Sequence, residues 1–474
     1  MTNIPFATNS YKHASAPLSS QRTVNMYAEV QPQGAKSQTP ILGCPGVITA
    51  ATLGVGPVRG FHVMDGTLYA VSGGTLYQIN SDHTTTTLGG VISGTSVVSM
   101  ADNGTELVIV NGTNGYIWSS AAGFRIISDT DFNAADTVTF MDSFFLFSQS
   151  GTGRFFRSDR LDGTSYDGTA FTTAESQSDD LLAIRNHKQV LYALGQRTVE
   201  LYGNVGAANF PFQRIPGTTV DRGLAGSFAV TDEDESLFIL GDDRIGYRLS
   251  GRSLKRISTH AIESEAWQNY SSISDVIMFS YTWNGHKFIF YTFPDIAETW
   301  CFDVATTLWH ERVSHDRLGN SLGRWRGNCA ESAYSRVYIG DAFSGKIGYL
   351  SNTTFTEFDE DTRAIAVSPP LYGNGKRVFM PWFELDIETG VGLSSGQGSN
   401  PQVMMSVSDN GGRSFESPEV WSTFGKQGNY KDPALFVRWD RLGQFFTRHI
   451  KVEISDPVRR AIYGARAPEL SIGV

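Results

Sequence analysis

GTLYAVSGGTLYQI, residues 66–79, contains two short apolar strands joined at Gly73-Gly74, and the same unit recurs along the chain. It reappears as GTELVIVNGTNGYIW from Gly104, DSFFLFSQSGTGRFFRS from Asp142 and HKQVLYALGQRTVELY from His187. Three further copies are DESLFILGDDRIGYRLSG from Asp234, GHKFIFYTFPDIAETWCFD from Gly285 and SRVYIGDAFSGKIGYLS from Ser335. The successive starts lie 38, 38, 45, 47, 51 and 50 residues apart, the length of a four-stranded propeller blade. Flanking strands fit the unit. Val97–Met100, Val138–Met141, Leu181–Ile184, Phe228–Val230 and Val276–Phe279 precede hairpins, and Phe124–Ile127, Leu254–Ile257 and Trp309–Val313 follow them.

A four-stranded antiparallel meander has two faces to cover. Stacking such sheets radially buries both faces and leaves only short edges. The fold class expected is therefore all-β: a β-propeller of seven blades, with six as the alternative. Glycines at Gly73-Gly74, Gly112 and Gly241 are expected to take left-handed turn positions. Thr259–Trp267 breaks the strand pattern and reads as a short amphipathic helix between two blades, capped by Ser258 or Thr259.

The repeats end near Asn352. Beyond them Val378–Ile387, Val403–Ser408, Val437–Leu442 and His449–Ile454 alternate as strands of a small C-terminal β-sandwich. The opening residues are rich in Ser, Gln, Pro and Thr. The expected organisation is an extended N-terminal arm over 1–50, a propeller over 51–357 and the sandwich over 358–474.

Composition narrows the function. The 474 residues carry 38 Lys and Arg against 48 Asp and Glu, a formal charge of −10, which disfavours a surface that grips nucleic acid by counterion release. No apolar run approaches the roughly 18 residues that span a bilayer, and Met1–Ser10 lacks the basic and apolar regions of a signal peptide, so no membrane partner and synthesis in a cytoplasm are expected. Cys44, Cys301 and Cys329 are too few and too scattered for a disulfide framework or a zinc site.

Isolated motifs lack the context that chemistry requires. Gly392-Leu393-Ser394-Ser395-Gly396 matches a nucleophile elbow as a string, but it sits in a Gly/Ser loop without the strand and helix an elbow needs. Ser408–Phe415 resembles one degenerate Asp-box turn, a hairpin stabiliser without catalytic role. The acidic runs Asp232–Glu235 and Asp359–Asp361, and Asp129-x-Asp131-x-Asn133, lack the spacing of a calcium loop. His310 and His315 have no third ligand near them in sequence. No catalytic residue, cofactor site or metal site is expected. Arg324-Trp325-Arg326, near Arg312 and Arg317, reads as a basic, aromatic contact patch for a phosphate or an acidic neighbour, with the overall charge favouring a protein contact over nucleic acid.

Three longer stretches carry a family resemblance. Ser20–Glu29 followed by Pro45-Gly46 resembles the opening of the packaged-DNA stabilisation, or tail-nozzle, family of short-tailed bacteriophages. A second match runs from Ala174-Glu175-Ser176 through Leu194–Tyr202, Gly206, Pro211-Phe212 and Pro216-Gly217 to Arg222–Gly226. A third is Trp382–Val391.

The resemblance implies a non-catalytic virion protein. It would form a ring of six copies below the portal and its adaptor or head-completion protein, and would retain packaged DNA until ejection. A tail needle or tip and tailspikes or fibres would dock on it, and viral DNA would pass without specific binding. Arg22, Asn25, Tyr27 and Glu29, with Arg324, Trp325 and Arg326, are the candidate assembly residues. The alternative is a glycan-binding or glycan-cleaving propeller of the sialidase kind, which would need several Asp-boxes, an arginine cluster and a tyrosine nucleophile. A soluble enzyme would also converge carboxylates of perturbed pKa on the propeller axis, where the ring protein is expected to have none.

Overall fold

The computed structural model describes residues 2–6, 9–174, 179–416, 420–429, 437–468 and 471–472. Among the described residues seven antiparallel four-stranded sheets stand as blades I to VII, six of them consecutive meanders and the seventh completed by a strand from the N-terminal end, and the chain is a β-propeller. Their innermost strands are Val58–Met64, Ser99–Asp102, Ala135–Met141, Leu181–His187, Val230–Glu233, Ile277–Trp283 and Gly327–Ala333.

A separate apolar core fills the space between neighbouring blades. Val71 and Leu107 belong to the core between I and II, Ile117 and Phe147 to that between II and III, and Phe155 and Leu191 to that between III and IV. A larger core, including Leu201, Phe238 and Tyr291, unites IV, V and VI, while Phe290 and Ile339 join VI to VII. The last core closes the circle: Ala333, Tyr338 and Ile347 of blade VII pack with Val58, Leu68 and Ile79 of blade I. Each fully buried Leu, Phe or Ile contributes roughly 1.5–3 kcal/mol relative to exposure, so no blade stands without its neighbours.

Blade II turns from first to second strand on Gly104 alone, but in the other six blades this hairpin takes two consecutive left-handed residues, which suits the right-handed twist of the strands. Asp65-Gly66 and Asn284-Gly285 supply them with a glycine, whereas Asp142-Ser143, Lys188-Gln189, Asp234-Glu235 and Tyr334-Ser335 do so without one. Gly73 and Gly112 are left-handed as expected, at φ +55° and +86°. Gly74 and Gly241 are not. In the Gly241 turn the left-handed residue is Arg244, at φ +64°, while a Cβ on Gly241 would crowd the Asp243 carboxylate.

The helical segment between blades V and VI is a π-turn over Ile262–Ala266 followed by a 3₁₀ turn over Trp267–Asn269. Its anchor is Trp267, fully buried in the core shared by IV, V and VI. Among the described residues no helix is long and apolar enough to cross a membrane.

The C-terminal strands form a two-sheet sandwich. One sheet orders Met26–Ala28, Ile41–Gly43, Ala461–Ala467, Trp382–Ile387 and Val437–Asp440, with Thr2–Ile4 pairing to Ala461–Ala467. The other contains Ser20–Val24, Ala364–Val367, Thr447–Ile454, Gln402–Ser408 and Val420–Thr423. Phe383, Trp439, Val403, Ile450 and Val452 meet between them. The strand expected over Val378–Ile387 is split by Pro381, which has no N–H to give a ladder. Val378–Phe379 pairs instead with Gln444–Phe445.

The described residues of 1–50 are extended, as read from the sequence, but they are not a free arm. Thr2–Ile4, Ser20–Val24, Met26–Ala28 and Ile41–Gly43 are strands of the sandwich sheets, and Gly46–Thr52 is the outer strand of blade VII, antiparallel to Lys346–Ser351. Ser20–Val24 also pairs in parallel with the outer strand of blade VI, Leu308–Glu311, making one continuous sheet from propeller to sandwich. The physical reason is edge satisfaction: blades VI and VII and both sandwich sheets would otherwise show bare N–H and C=O groups. The expected boundary at 50/51 falls inside the strand Gly46–Thr52, and the one at 357/358 inside a hairpin formed by Thr356–Glu357 and Glu360–Asp361.

Candidate assembly site

The N-terminal strap holds the first group of candidate residues, two of them facing inward and two reaching the surface. Arg22 forms a two-pronged pair with Glu311 of blade VI, Nη2 to Oε2 at 2.5 Å and Nε to Oε1 at 3.0 Å, and its side chain stays half exposed. The Glu311 carboxylate raises the proton affinity of that guanidinium. Asn25, buried at φ +54°, clamps three segments: its Nδ2 donates to the carbonyls of Val313 at 2.7 Å and Arg363 at 2.8 Å, and its Oδ1 accepts from the Val313 N–H. An asparagine tolerates this backbone better than most residues, and its amide meets groups that would otherwise be orphaned.

Tyr27 is buried edge-on against His286 and Phe288, ring centroids 4.9 and 5.2 Å away, and burial pushes its phenol pKa upward. Glu29 is half-buried and accepts from the Gln31 amide. Arg22 and Glu29 therefore reach the surface, while Asn25 and Tyr27 hold the strap to blade VI.

Arg324, Trp325 and Arg326 were expected on a contact patch, and the structure overturns that reading. All three are buried, Trp325 completely. The Trp325 indole stacks on Phe290 at 4.9 Å and donates from Nε1 to Glu357 Oε1 at 2.8 Å. Arg326 makes a two-pronged pair with Asp341, at 3.1 and 3.0 Å. Arg312, also fully buried, lies 4.4 Å over the Trp325 ring and pairs with Glu357 at 3.1 Å, and Ser314 Oγ donates to the second carboxylate oxygen at 2.5 Å. Two cations and two carboxylates thus satisfy one another where blades VI and VII meet the strap. Burial of such charges is tolerated only with this pairing. Arg324 Nη2 donates to Asn328 Oδ1 at 3.0 Å, and desolvation lowers its pKa to about 10.

The remaining motifs resolve into structural roles. Asp232 pairs with His187 across blades IV and V at 2.5 Å, and Asp234 binds Arg248 at 2.8 Å and Lys287 at 2.9 Å, so this acidic run is a laced turn. Asp129 accepts from the N–H groups of Asp131 and Tyr166. The Asp-box-like turn caps itself, Asn410 Oδ1 accepting from the N–H groups of Arg413 and Ser414. Its glycines also press on the strap: a Cβ on Gly412 would run into Ser20 and one on Gly411 into Pro17. His310 is buried beside Cys44 at 3.9 Å, and Ser394 is exposed in a loop with no helix after it. Among the described residues no group of three or more His, Cys, Asp or Glu is placed to hold a metal.

The family-like stretches are likewise load points of the fold. In Leu194–Tyr202 the Glu200 carboxylate is buried and accepts from Tyr202 Oη at 2.9 Å. Gly223 lies where a Cβ would strike the Gln196 carbonyl, and Arg222 reaches Asp242 and Asp243, each at 3.2 Å. In Trp382–Val391 the Phe383 ring stacks on Trp439 at 5.7 Å, and Glu384 pairs with Arg466 at 2.7 Å. Glu175 and Ser176 of the second stretch lie outside the described residues.

Comparison with known proteins gives these observations a kinship. The family model described as "Bacteriophage P22 Gp10, beta-propeller" matches residues 2–355. The tail hub protein gp10 of Salmonella phage P22 is 21% identical over 358 residues, covering 70% of this chain and 72% of its own. Among solved structures, the Cps50 (Swd1) β-propeller domain of Myceliophteria thermophila shares 10% identity and covers 65% of this chain and 100% of its own, with a TM-score of 0.39. YCF48 from Cyanidioschyzon merolae shares 9%, covering 64% and 98%, with a TM-score of 0.41. With three quarters of its length matched by that family model, this chain belongs to the bacteriophage P22 Gp10 β-propeller family of phage tail structural proteins.

Proposed function

We propose that this chain is the subunit of a tail-nozzle ring of six copies, seated below the portal and its adaptor, which extends or closes the DNA exit channel so that packaged genome is retained until ejection. A tail needle or tip and tailspikes or fibres dock on that ring. The work is mechanical rather than catalytic, and its place is the virion tail after synthesis in the host cytoplasm. The carrying observation is the family match over residues 2–355, together with the 21% identity to the tail hub protein of phage P22.

Two physical features support the reading. Propeller and sandwich share one continuous sheet, so load on one passes into the other through backbone hydrogen bonds. The charge of −10 suits a wall past which a polyanion slides without adhering. Mass photometry of the purified chain, alone and with the portal–adaptor complex of the same phage, tests it. The expected result is a six-copy increment on the adaptor. A chain that stays monomeric and indifferent to that complex would overturn the nozzle reading and direct attention to glycan arrays.

A further inference from the structure

Where the inner strands begin, the propeller axis opens into a cavity of about 510 Å³, lined by Asp136, Asp275, Asp295 and Arg324 among others, so carboxylates stand at the axis where the ring reading expected none. Arg324 does not neutralise this mouth fully. Its guanidinium is occupied with Asn328 and with the carbonyls of Trp325 and Gly327. Asp275 accepts the Asp295 N–H through Oδ2 at 2.8 Å, whereas its Oδ1 is buried and accepts no hydrogen bond. Burial raises the proton affinity of Asp136. The acceptors of Arg324 are neutral and leave its charge in place, yet three carboxylates against this one cation still give the mouth an acidic excess, which favours an incoming cationic donor.

An apolar strip borders the same mouth. Val55, Val91 and Phe343 are 93%, 84% and 52% exposed. Their loops adjoin: Gly56 lies against Ser344-Gly345, the Gly73 N–H donates to the Pro57 carbonyl at 2.8 Å, and the Val91 N–H donates to the Gly74 carbonyl at 2.8 Å. The Phe343 ring also faces the Arg324 guanidinium, 6.0 Å away. Scattered apolar residues are ordinary on a surface, but three strongly exposed ones on adjoining loops beside a polar mouth suit a protein contact.

We propose that this axial mouth is a docking surface for a protein segment presenting a lysine or arginine between apolar residues, supplied by another polypeptide of the tail. The apolar side chains cover Val55, Val91 and Phe343 while the cation enters among the carboxylates. Phosphate is disfavoured because like charges meet it. The chemistry of the segment follows from the surface; its origin in the tail rests on the proposed function.

The test places a photo-crosslinking amino acid at Val91 or Phe343 of the full chain in assembled tails. A control goes at Leu161, an exposed residue on the opposite face of the propeller. Crosslinks from positions 91 and 343 to a different polypeptide are expected, mapping to a segment with Lys or Arg. Asp295→Arg, at an exposed position, should cut their yield about tenfold without displacing the chain from tails. Crosslinks between two copies of this chain, a yield no higher than at Leu161, or insensitivity to Asp295→Arg would overturn the proposal. Absence of the chain from tails would overturn the proposed function itself, and with it the tail origin of the segment.

Discussion

Glu357 receives Arg312, Ser314 and the Trp325 indole in a space closed to water, and Arg312 Nε already lacks an acceptor there. Removing one partner of a buried pair leaves the other charge uncompensated, so Glu357→Leu should lower unfolding free energy by about 3–5 kcal/mol in urea titrations. The double change Arg312→Met with Glu357→Leu should cost less than Glu357→Leu alone, since no buried ion is then stranded. Sequence could not expose this site. Arginine is seldom buried, so Arg324-Trp325-Arg326 read as surface, and the partners Asp341 and Glu357 lie 15 and 32 residues away from Arg326 and Trp325. His310 adds a pH dependence. Burial, with the Arg312 guanidinium beside it, pushes its pKa down to about 3 from an ordinary 6.5. The native state thus favours neutral imidazole. Its contribution is complete above pH 6.5 and is lost as pH falls from there toward 3, where the unfolded chain binds the proton first. Between pH 7 and 4.5 this one group should remove about 2–3 kcal/mol of stability. His310→Gln should flatten that part of the acid slope, measured by denaturant titration at both pH values.

At the scale of elements, legibility followed whether a strand's partner lay next to it in sequence. The blade hairpins were readable because each pairs with its immediate neighbour: Thr67–Ser72 with Thr75–Ile79, and His286–Phe293 with Glu298–Asp303. Their alternating Leu, Tyr, Val and Phe report burial on both faces. The strap was unreadable for the converse reason. Ser20–Val24 reads SQRTV, with no apolar alternation, and pairs with residues 311 and 365–367. Gly46–Thr52 pairs with a strand about three hundred residues away, which local pattern cannot reveal. The hairpin turns show the same limit. Lys188-Gln189 and Tyr334-Ser335 hold left-handed backbones without glycine, so composition gives no hint of their geometry, and register in the flanking strands imposes it.

For the whole molecule, the strap does two separable jobs. Its first part supplies Ile4, Phe6, Met26, Ala28 and Ile41 to the sandwich core. Its last part, Gly46–Thr52, gives blade VII its outer strand. A chain lacking residues 2–44 keeps the second job and loses the first. Both sandwich sheets then show new edges, and a core deprived of five apolar side chains cannot hold its remaining strands together. The propeller keeps all seven four-stranded blades and the core that closes blade VII on blade I, and loses only Tyr27 and Cys44 among the buried residues of the core between VI and VII. Limited proteolysis of that truncated chain should therefore digest residues 364–472 first and leave a resistant fragment of blades I to VII, with two transitions on heating. Deleting residues 2–57 removes the closing strand as well and bares the edge of Lys346–Ser351. It should also remove the resistant fragment, because Leu53 then leaves the core between blades VII and I. Equal resistance of the sandwich with and without residues 2–44 would mean that the strap only decorates it. Loss of the whole fold in both truncations would mean that propeller and sandwich form one cooperative unit, with the continuous sheet through Ser20–Val24 as the coupling.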